Sequence, residues 1–249
     1  MKYYVVADVH ADFSIMHRAL ERAGFFSDAA PHKLIMLGDS FDRGPEPKEM
    51  QSFILELMEK DAVILIKGNH DDMFEELATK DHGLQYAHHV WNGTYETALV
   101  LSGFDPAQAK MRNYAFADAI KETPLFQKII PAMRDYYETE HYIFVHGWIP
   151  TFHQDREYWE NPDWRKNATP TAWKMARWYN GMDLRQICSE EKTIVCGHWH
   201  CSYGHSKSEG KPEFGPGADF SPYYGPGIIA MDGCTAQSGI VNVLALDDD

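Results

Sequence analysis

Five short polar clusters in this sequence carry residue types that bind metal ions, and each cluster follows an apolar run. They are Asp8-Val9-His10, residues 38–44 (GDSFDRG), Gly68-Asn69-His70-Asp71, His146-Gly147 and Gly197-His198-Trp199-His200. Mixed carboxylate, amide and imidazole ligands suit manganese, iron or zinc better than magnesium or calcium. Two such ions about 3.5–4 Å apart can activate a water molecule and bind phosphoryl oxygens. The five clusters therefore predict a two-metal site for the hydrolysis of phosphate esters.

The spacing within the clusters indicates how the ligands could be shared. Asp8 and His10 are two residues apart just beyond an apolar run, so both can point towards one ion. Asp39 follows the second apolar run, and a carboxylate can bridge two ions. The remaining candidate ligands are an amide oxygen and three imidazoles, from Asn69, His146, His198 and His200.

The apolar runs that precede the first three clusters have the length of buried strands. They lie at residues 3–7, 34–37 and 62–66, with helical patterns at 15–24 and 48–60 between them. The repeat of about 30 residues is the length of a βαβ unit, which predicts parallel, neighbouring strands. Ligands gather at the carboxyl ends of such strands, so we expect the clusters to meet at one edge of one sheet.

The pattern changes after the third strand. Residues 71–138 carry apolar residues at a spacing of three to four, which predicts a helical cap inserted into a single domain of residues 1–249. Short apolar runs at 142–145 and 193–196 predict strands that end shortly before His146 and His198.

The C-terminal part predicts a long loop and two strands. Residues 206–226 are rich in Gly, Pro and Ser and predict a surface loop. Residues 228–231 and 240–246 predict two final strands joined by a turn, and we expect the acidic tail, 247–249, to be disordered.

Composition narrows the possible partners and location. A formal net charge of −14 disfavours binding to nucleic acid, although two metal ions would add about four positive charges where an anionic substrate binds. The first apolar run is too short for a secretory signal, and no apolar stretch approaches the length of a membrane span. The four cysteines form no CxxC pair. We therefore expect a cytoplasmic protein without a membrane segment; the sequence leaves its oligomeric state open.

The order of the motifs, DxH, GDxxDRG, GNHD, HG and GHxH, is similar to that of the calcineurin-like metallophosphoesterases. The intact Asp42-Arg43-Gly44 resembles the branch that contains serine/threonine protein phosphatases, bacterial protein phosphatases and diadenosine tetraphosphatases. The resemblance extends from residue 1 to about residue 200, and Asp232 is a weaker match to the family's C-terminal strands. It implies an α/β fold of mixed β-sheets flanked by helices, with four layers in the order α/β/β/α and a helical insertion.

The resemblance also implies a metal ligand set. It assigns the first metal to Asp8, His10 and Asp39, with His200 as a further candidate ligand. It assigns the second metal to Asp39, as the bridge, and to Asn69, His146 and His198. Manganese is the expected metal, with iron or zinc as alternatives.

The catalytic roles implied by the resemblance fall on the GDxxDRG and GNHD motifs. His70 protonates the leaving oxygen, and Asp42 holds it and favours its charged form. The substrate contacts are Arg43, Asn69 and a second arginine, for which Arg177 is the candidate and Arg165 and Arg185 are the alternatives.

These features predict a phosphoester hydrolase, with a serine/threonine-type protein phosphatase as the leading interpretation. A bis(5'-nucleosyl)-tetraphosphatase is one alternative, because Trp148 and Trp199 stand beside ligands and could stack on a nucleobase. A phosphodiesterase is a further alternative. The other tryptophans, including Trp178, are predicted to pack on helix faces. Asp71 stands where protein phosphatases of this branch usually have Glu, which leaves the substrate open. The interpretation from another class is a non-catalytic metal-binding scaffold, which the complete ligand set disfavours.

Overall fold

The computed structural model describes residues 1–79, 86–109, 111–155 and 157–248, without the side chains of Tyr86 and Asn113. Its strands are β1 (Lys2–Val6), β2 (His32–Met36), β3 (Val63–Leu65), β4 (Tyr137–Glu138), β5 (Tyr142–Phe144), β6 (Phe152–Gln154), β7 (Glu157–Trp159), β8 (Thr193–Cys196), β9 (Tyr223–Gly225), β10 (Ile228–Ala230) and β11 (Leu244–Asp247). Its α-helices are α1 (Phe13–Arg22), α2 (Pro47–Glu59), α3 (Asn69–Thr79), α4 (Tyr86–Trp91), α5 (Thr94–Ser102), α6 (Pro106–Ala109), α7 (Asn113–Lys121), α8 (Ile130–Ala132), α9 (Trp164–Asn167), α10 (Pro170–Ala176), α11 (Gly181–Leu184), α12 (Cys201–Glu209) and α13 (Thr235–Ser238). Single turns at Phe25–Ser27, Leu125–Ile129 and Arg185–Ile187 complete the helical segments.

The first sheet has the strand order β11-β1-β2-β3. The three N-terminal strands are parallel neighbours, with Tyr4 opposite Leu34 and Leu34 opposite Val63, as the βαβ spacing predicted. β11 pairs antiparallel with β1 and closes the other edge.

The second sheet has the order β4-β5-β8-β10-β9, with β5, β8 and β10 parallel. The first three polar clusters therefore follow parallel strands of one sheet, as predicted, whereas the clusters at His146 and His198 follow β5 and β8 of the second sheet. The two final strands do not form a hairpin, because β10 belongs to the second sheet and β11 to the first.

Two further predictions for the C-terminal part need correction. Helix α12 continues to Glu209 and β9 begins at Tyr223, so the long loop is shorter than expected. Asp248 is buried: its carboxylate accepts hydrogen bonds from the Thr139 hydroxyl and from the backbone N–H of His141, while Asp249 lies outside the described residues. The acidic tail is therefore ordered up to Asp248.

Apolar side chains divide the molecule into four layers. Val5 and Ile35 of the first sheet pack against Phe144 and Val195 of the second sheet. The opposite face of the first sheet packs on α1, α2 and the helices that follow β3, through a core that includes Met36. The opposite face of the second sheet packs on the helices after β7. The predicted α/β/β/α arrangement is confirmed.

The helices after β3 occupy the segment predicted to be an insertion. Phe74, Tyr95, Phe116 and Ile120 pack in the same core as the first sheet. Residues 80–85 and 110 of this segment lie outside the described residues, and the assignment of 71–138 as a cap within one domain stays a prediction. Among the described residues, no helix is both long and apolar enough to cross a membrane.

Candidate metal centre

Two groups of candidate ligands meet between the carboxyl ends of the two sheets. The first is His10, Asp39 and His70, and the second is Asp39, His146 and His198. Within each group the ligand atoms lie within 4.8 Å of one another. Asp39 belongs to both groups, which is the position that a bridging carboxylate requires.

The backbone of several of these residues is strained. Asp8, His10, Asp39 and His198 have φ angles of 49°, 51°, 49° and 64°, in the left-handed region that residues with a Cβ rarely occupy. Each of them lies just beyond a strand, where the chain turns sharply. Such strain persists only where the surrounding structure enforces it, and it concentrates at functional sites.

Two glycines make room for the carboxylates. A Cβ atom on Gly197 would lie 2.1 Å from Asp8 Oδ2, and one on Gly68 would lie 2.1 Å from Asp39 Oδ1. Any other residue at either position would displace the carboxylate. This is the structural reason for the glycines in the GNHD and GHxH motifs.

Backbone carbonyls fix which nitrogen of two imidazoles faces the centre. His146 Nδ1 donates to the carbonyl of Leu37 at 2.6 Å, and His10 Nδ1 donates to the carbonyl of Phe41 at 3.1 Å. The Nε2 atom of each ring is therefore the one available to a metal ion. His146 Nε2 lies 2.8 Å from Asn69 Oδ1 and 3.4 Å from Asp39 Oδ2.

Asp8 is held differently from the other candidate ligands. Its two carboxylate oxygens accept the backbone N–H of His198, at 3.1 and 2.9 Å. Burial and the neighbouring carboxylate of Asp232 raise the pKa of Asp8 well above its usual range. Among the described residues, neither compact ligand group includes Asp8, so its predicted sharing of an ion with His10 stays a prediction.

The charge states of the ligands depend on the balance between burial and neighbouring charge. Burial alone would raise the pKa of Asp39, but the imidazoles of His146 and His70 hold it well below its usual range. Burial alone would lower the pKa of His146, but Asp39 outweighs it and raises the value to about 10. Burial, with the charge of His70, lowers the pKa of His10 to about 3. The buried centre thus already stabilises a positive charge beside Asp39, and its donor set of carboxylates, an amide oxygen and imidazoles fits two transition-metal ions.

The predicted acid, His70, lies beside the centre and is held by a second carboxylate. His70 Nδ1 donates to Asp42 Oδ2 at 2.7 Å, and the same oxygen accepts the hydroxyl of Thr94 at 2.7 Å. Burial alone would lower the pKa of His70, but Asp39 and Asp42 together raise it above its usual value. The arrangement can hold a proton on a buried imidazole, which a general acid must do.

Arg43 projects from the loop after β2 towards His10. Its Nη1 lies 3.0 Å from His10 Nε2, and its Nη2 donates to Asn92 Oδ1 at 3.3 Å. The guanidinium therefore stands at the edge of the first ligand group, where it could contact a phosphoryl oxygen. Asn92 and Thr94 come from the predicted insertion and were missed by the sequence analysis, because no motif surrounds them.

The three candidates for a second phosphate-binding arginine are all engaged elsewhere. Arg177 is buried and pairs with Asp72 at 2.7 Å and with Asp135. Arg165 pairs with Glu138 and Glu190, and Arg185 donates to backbone carbonyls. The role predicted for Arg177 stays a prediction, and the structure gives this side chain a competing role in joining α3 to the segment after α10.

His200 lies near the centre but faces an acidic partner. Its Nε2 lies 2.8 Å from Glu213 Oε1, and among the described residues it belongs to neither compact ligand group. Asp232, a weak signal in the sequence, is buried next to Asp8, and burial raises its pKa to about 6. His200 as a ligand therefore stays a prediction, and Asp232 is an additional buried carboxylate at this end of the centre.

The exposure of two tryptophans near the centre differs from what the sequence predicted. Trp148 is 1% exposed and packs in the second core, so it cannot stack on a ligand. Trp178 is 44% exposed, and its ring centroid lies 5.7 Å from that of His198. Trp199 stacks on His200. The exposed aromatic surface beside the centre therefore includes Trp178, for which the sequence predicted helix-face packing.

Comparisons with known proteins agree with this geometry. The asymmetrical bis(5'-nucleosyl)-tetraphosphatase PrpE of Bacillus velezensis is 27% identical over 133 residues, 51% of this chain and 51% of that protein. Serine/threonine-protein phosphatase 2 of Escherichia coli is 32% identical over 85 residues, 34% of this chain and 36% of that protein. The matches thus span about half of the first relative and about a third of the second.

A solved structure and a family model extend the likeness over most of the chain. The cold-active protein-tyrosine phosphatase of a psychrophilic Shewanella superposes with a TM-score of 0.60, at 17% identity, over 99% of this chain and 75% of that chain, which shows a shared fold. Residues 1–214 match the model of the calcineurin-like phosphoesterases, a segment that contains all the candidate ligands described above except Asp232. The chain belongs to the calcineurin-like phosphoesterase family.

Proposed function

We propose that this protein is a phosphoester hydrolase that works with two divalent metal ions, manganese first among them. The observation that carries the proposal is the shared position of Asp39 in two compact ligand groups, with Arg43 and the His70–Asp42 pair beside them. When bound, the two ions would supply a water of lowered pKa and would offset negative charge on the phosphoryl group.

The side chains of the centre have separate tasks in this proposal. Asp39, Asn69, His146 and His198 hold the second metal, and Asp8, His10 and Asp39 hold the first. Arg43 binds a phosphoryl oxygen, which a guanidinium can do with two parallel hydrogen bonds. His70 gives the proton on its Nε2 to the leaving oxygen, while Asp42 holds its Nδ1.

Two substrate classes have support in the comparisons. The E. coli relative is named a serine/threonine-protein phosphatase, which favours a phosphorylated protein. The Bacillus relative, matched over a longer segment, is named a bis(5'-nucleosyl)-tetraphosphatase, which favours a dinucleoside polyphosphate. Both substrates place a phosphoryl group next to a leaving oxygen.

The test is a substrate panel with manganese-loaded protein. p-Nitrophenyl phosphate, a phosphoserine peptide, diadenosine tetraphosphate and bis-p-nitrophenyl phosphate are compared at equal enzyme concentration. We expect hydrolysis of p-nitrophenyl phosphate and of at least one larger substrate. Activity should disappear after chelation and return with manganese.

Two outcomes would contradict the proposal. Full activity in stringently metal-free buffer would exclude the metal ions from the reaction. Stoichiometric metal binding without hydrolysis of any substrate would instead support the metal-binding scaffold.

A further inference from the structure

An aromatic cavity of about 480 Å³ adjoins the candidate centre. Its lining includes Tyr158, Trp178, Tyr179 and Trp199, together with the polar side chains of Asn180 and Asp183. This volume lies within the range of cavities that bind small organic ligands.

The aromatic cavity touches the centre through a histidine. The ring of Trp178 meets that of His198 at an interplanar angle of 82°, with centroids 5.7 Å apart. Trp199 directly follows His198 in the chain. A group bound in the aromatic cavity therefore sits within a short distance of a phosphoryl group held at the centre.

We propose that the aromatic cavity holds a nucleobase of the substrate, an inference that rests on the proposed hydrolase function. Trp178 and Tyr158 are 44% and 39% exposed, so ring surface is available for stacking. Every nucleobase has a flat π-face, and stacking on aromatic side chains is a general mode of base binding.

The polar side chains of the aromatic cavity favour a base over a phenyl ring. Asp183 Oδ1 accepts the hydroxyl of Tyr203 at 2.7 Å, and its Oδ2 accepts Asn180 Nδ2 at 3.2 Å. Each carboxylate oxygen keeps acceptor capacity beyond these bonds. The amino group of a base can use that capacity, whereas the aromatic side chain of Phe in a phosphopeptide cannot. The substrate favoured by this cavity is thus a nucleotide ester rather than a phosphoprotein.

The experiment compares two variants of the aromatic cavity with a matched control. Trp178→Leu and Tyr158→Leu remove stacking surface. Trp159→Leu removes an equally exposed tryptophan, 45% exposed, that does not line the cavity. For each protein, kcat/KM for diadenosine tetraphosphate is divided by kcat/KM for p-nitrophenyl phosphate. Binding of adenosine 5'-monophosphate and of inorganic phosphate is measured in parallel by calorimetry.

We expect both cavity variants to lower the ratio by about tenfold or more, mainly through KM, since stacking on one aromatic ring has that effect. The control should change the ratio by less than about twofold, as surface substitutions do. Adenosine 5'-monophosphate should bind more weakly to Trp178→Leu than to the unaltered protein.

The inference is overturned if both cavity variants keep the ratio of the unaltered protein. Equal binding of adenosine 5'-monophosphate and inorganic phosphate by the unaltered protein would also overturn it. The proposed hydrolase function fails separately, if no substrate is hydrolysed by the manganese-loaded protein. In that case the nucleotide-binding measurements still decide whether the aromatic cavity holds a base.

Discussion

The two ligand groups of the centre share Asp39 but use their histidines differently. Each group combines one imidazole with a strongly lowered pKa and one with a raised pKa. In the first group, the pKa of His10 is lowered to about 3 and the pKa of His70 is raised above its usual value. In the second group, burial and the charge of His146 lower the pKa of His198 to about 3. The pKa of His146 itself is raised to about 10.

The two groups differ in the atoms that face the imidazole whose pKa is raised. His70 has its own carboxylate, Asp42, on the side away from Asp39, and Thr94 donates to that carboxylate. His146 has a backbone carbonyl on its Nδ1, and its Nε2 faces Asn69 and the shared Asp39. Asp39 and His146 Nε2 would together hold a metal ion only after His146 gives up the proton on its Nε2. His70 can keep its proton, because Asp42 still favours the charged form.

A second carboxylate thus separates an acid from a ligand among the buried histidines of this site. Residue type alone does not make this distinction, and neither does proximity to Asp39. We therefore expect the two groups to respond differently when individual side chains are altered.

The largest effect should come from Asp39→Asn, which alters both groups at once. We expect activity to fall by several orders of magnitude and bound manganese to fall below one ion per chain, because a neutral amide bridges two cations poorly. Metal content by elemental analysis and turnover of p-nitrophenyl phosphate check this. Asp61→Asn is the matched control, since Asp61 has a similar φ of 50° but is exposed and pairs with Lys33. An Asp39→Asn protein with two bound ions and unaltered turnover would contradict the shared-ligand geometry.

The next largest effect should come from His70→Asn, which alters only the first group. We expect kcat to fall by about 10²–10⁴-fold, the range typical of a lost general acid, while both metal ions remain bound. The loss should be larger for phosphoserine than for p-nitrophenyl phosphate, because p-nitrophenolate leaves without protonation. A fall in metal content in this variant would make His70 a ligand and would erase the distinction between the groups.

The difference between the two sheets explains how much of the fold the sequence could reveal. The three N-terminal strands and their ligands follow one another about every 30 residues, so local pattern was enough to predict their order. The second sheet joins β5 to β8 across an intervening stretch of about 50 residues, and β11 returns to pair with β1. Such pairings depend on contacts that no local pattern records, and the expectation that the two final strands are joined by a turn failed there.

Individual side chains of the site show the same division between local and distant contacts. Asp39, Asn69 and His70 lie in glycine-flanked motifs and were predicted as site residues from sequence alone. Thr94 lies 52 residues from Asp42, and Arg177 lies 105 residues from Asp72. These partners are brought together by the packing of α5, which the sequence indicated only as part of a helical segment, and of α10, whose bounds the sequence did not indicate. Motifs thus predicted which residues gather, and the structure was needed to show what holds them.

A smaller, graded effect is expected from pH on metal binding. In the metal-free protein His146 keeps its proton up to a pKa of about 10, so binding of manganese at Nε2 releases that proton. We expect affinity to rise about tenfold per pH unit between pH 7 and 9. Calorimetry at pH 7, 8 and 9 in buffers of different ionisation enthalpy measures both affinity and proton release. An affinity that stays constant over this range would mean that His146 is neutral or unbound.

The same pKa has a consequence for the stability of the metal-free protein. The pKa of His146 is higher in the folded protein than in the unfolded chain. The stabilisation of the fold by charged His146 is therefore complete below the unfolded pKa of about 6.5 and is lost as pH rises towards 10. Thermal unfolding of chelator-treated protein should therefore occur at a lower temperature at pH 10 than at pH 6. His146→Asn should lose this part of the pH dependence.

The smallest effect should come from Thr94→Val, which leaves both groups and the His70–Asp42 pair in place. Thr94 is fully buried and donates to the oxygen of Asp42 that also binds His70, so its hydroxyl limits the rotation of that carboxylate. We expect kcat to fall by about three- to tenfold with KM and metal content unchanged, because a typical hydrogen bond contributes about 0.5–1.5 kcal/mol and this one acts on His70 only through Asp42. Thr94→Ser should restore the rate, because it retains the hydroxyl. Thr97→Val is the control, a buried threonine on the same helix. Equal losses in Thr94→Val and Thr97→Val would reduce Thr94 to a packing residue, and the carboxylate alone would then distinguish the acid from the ligand.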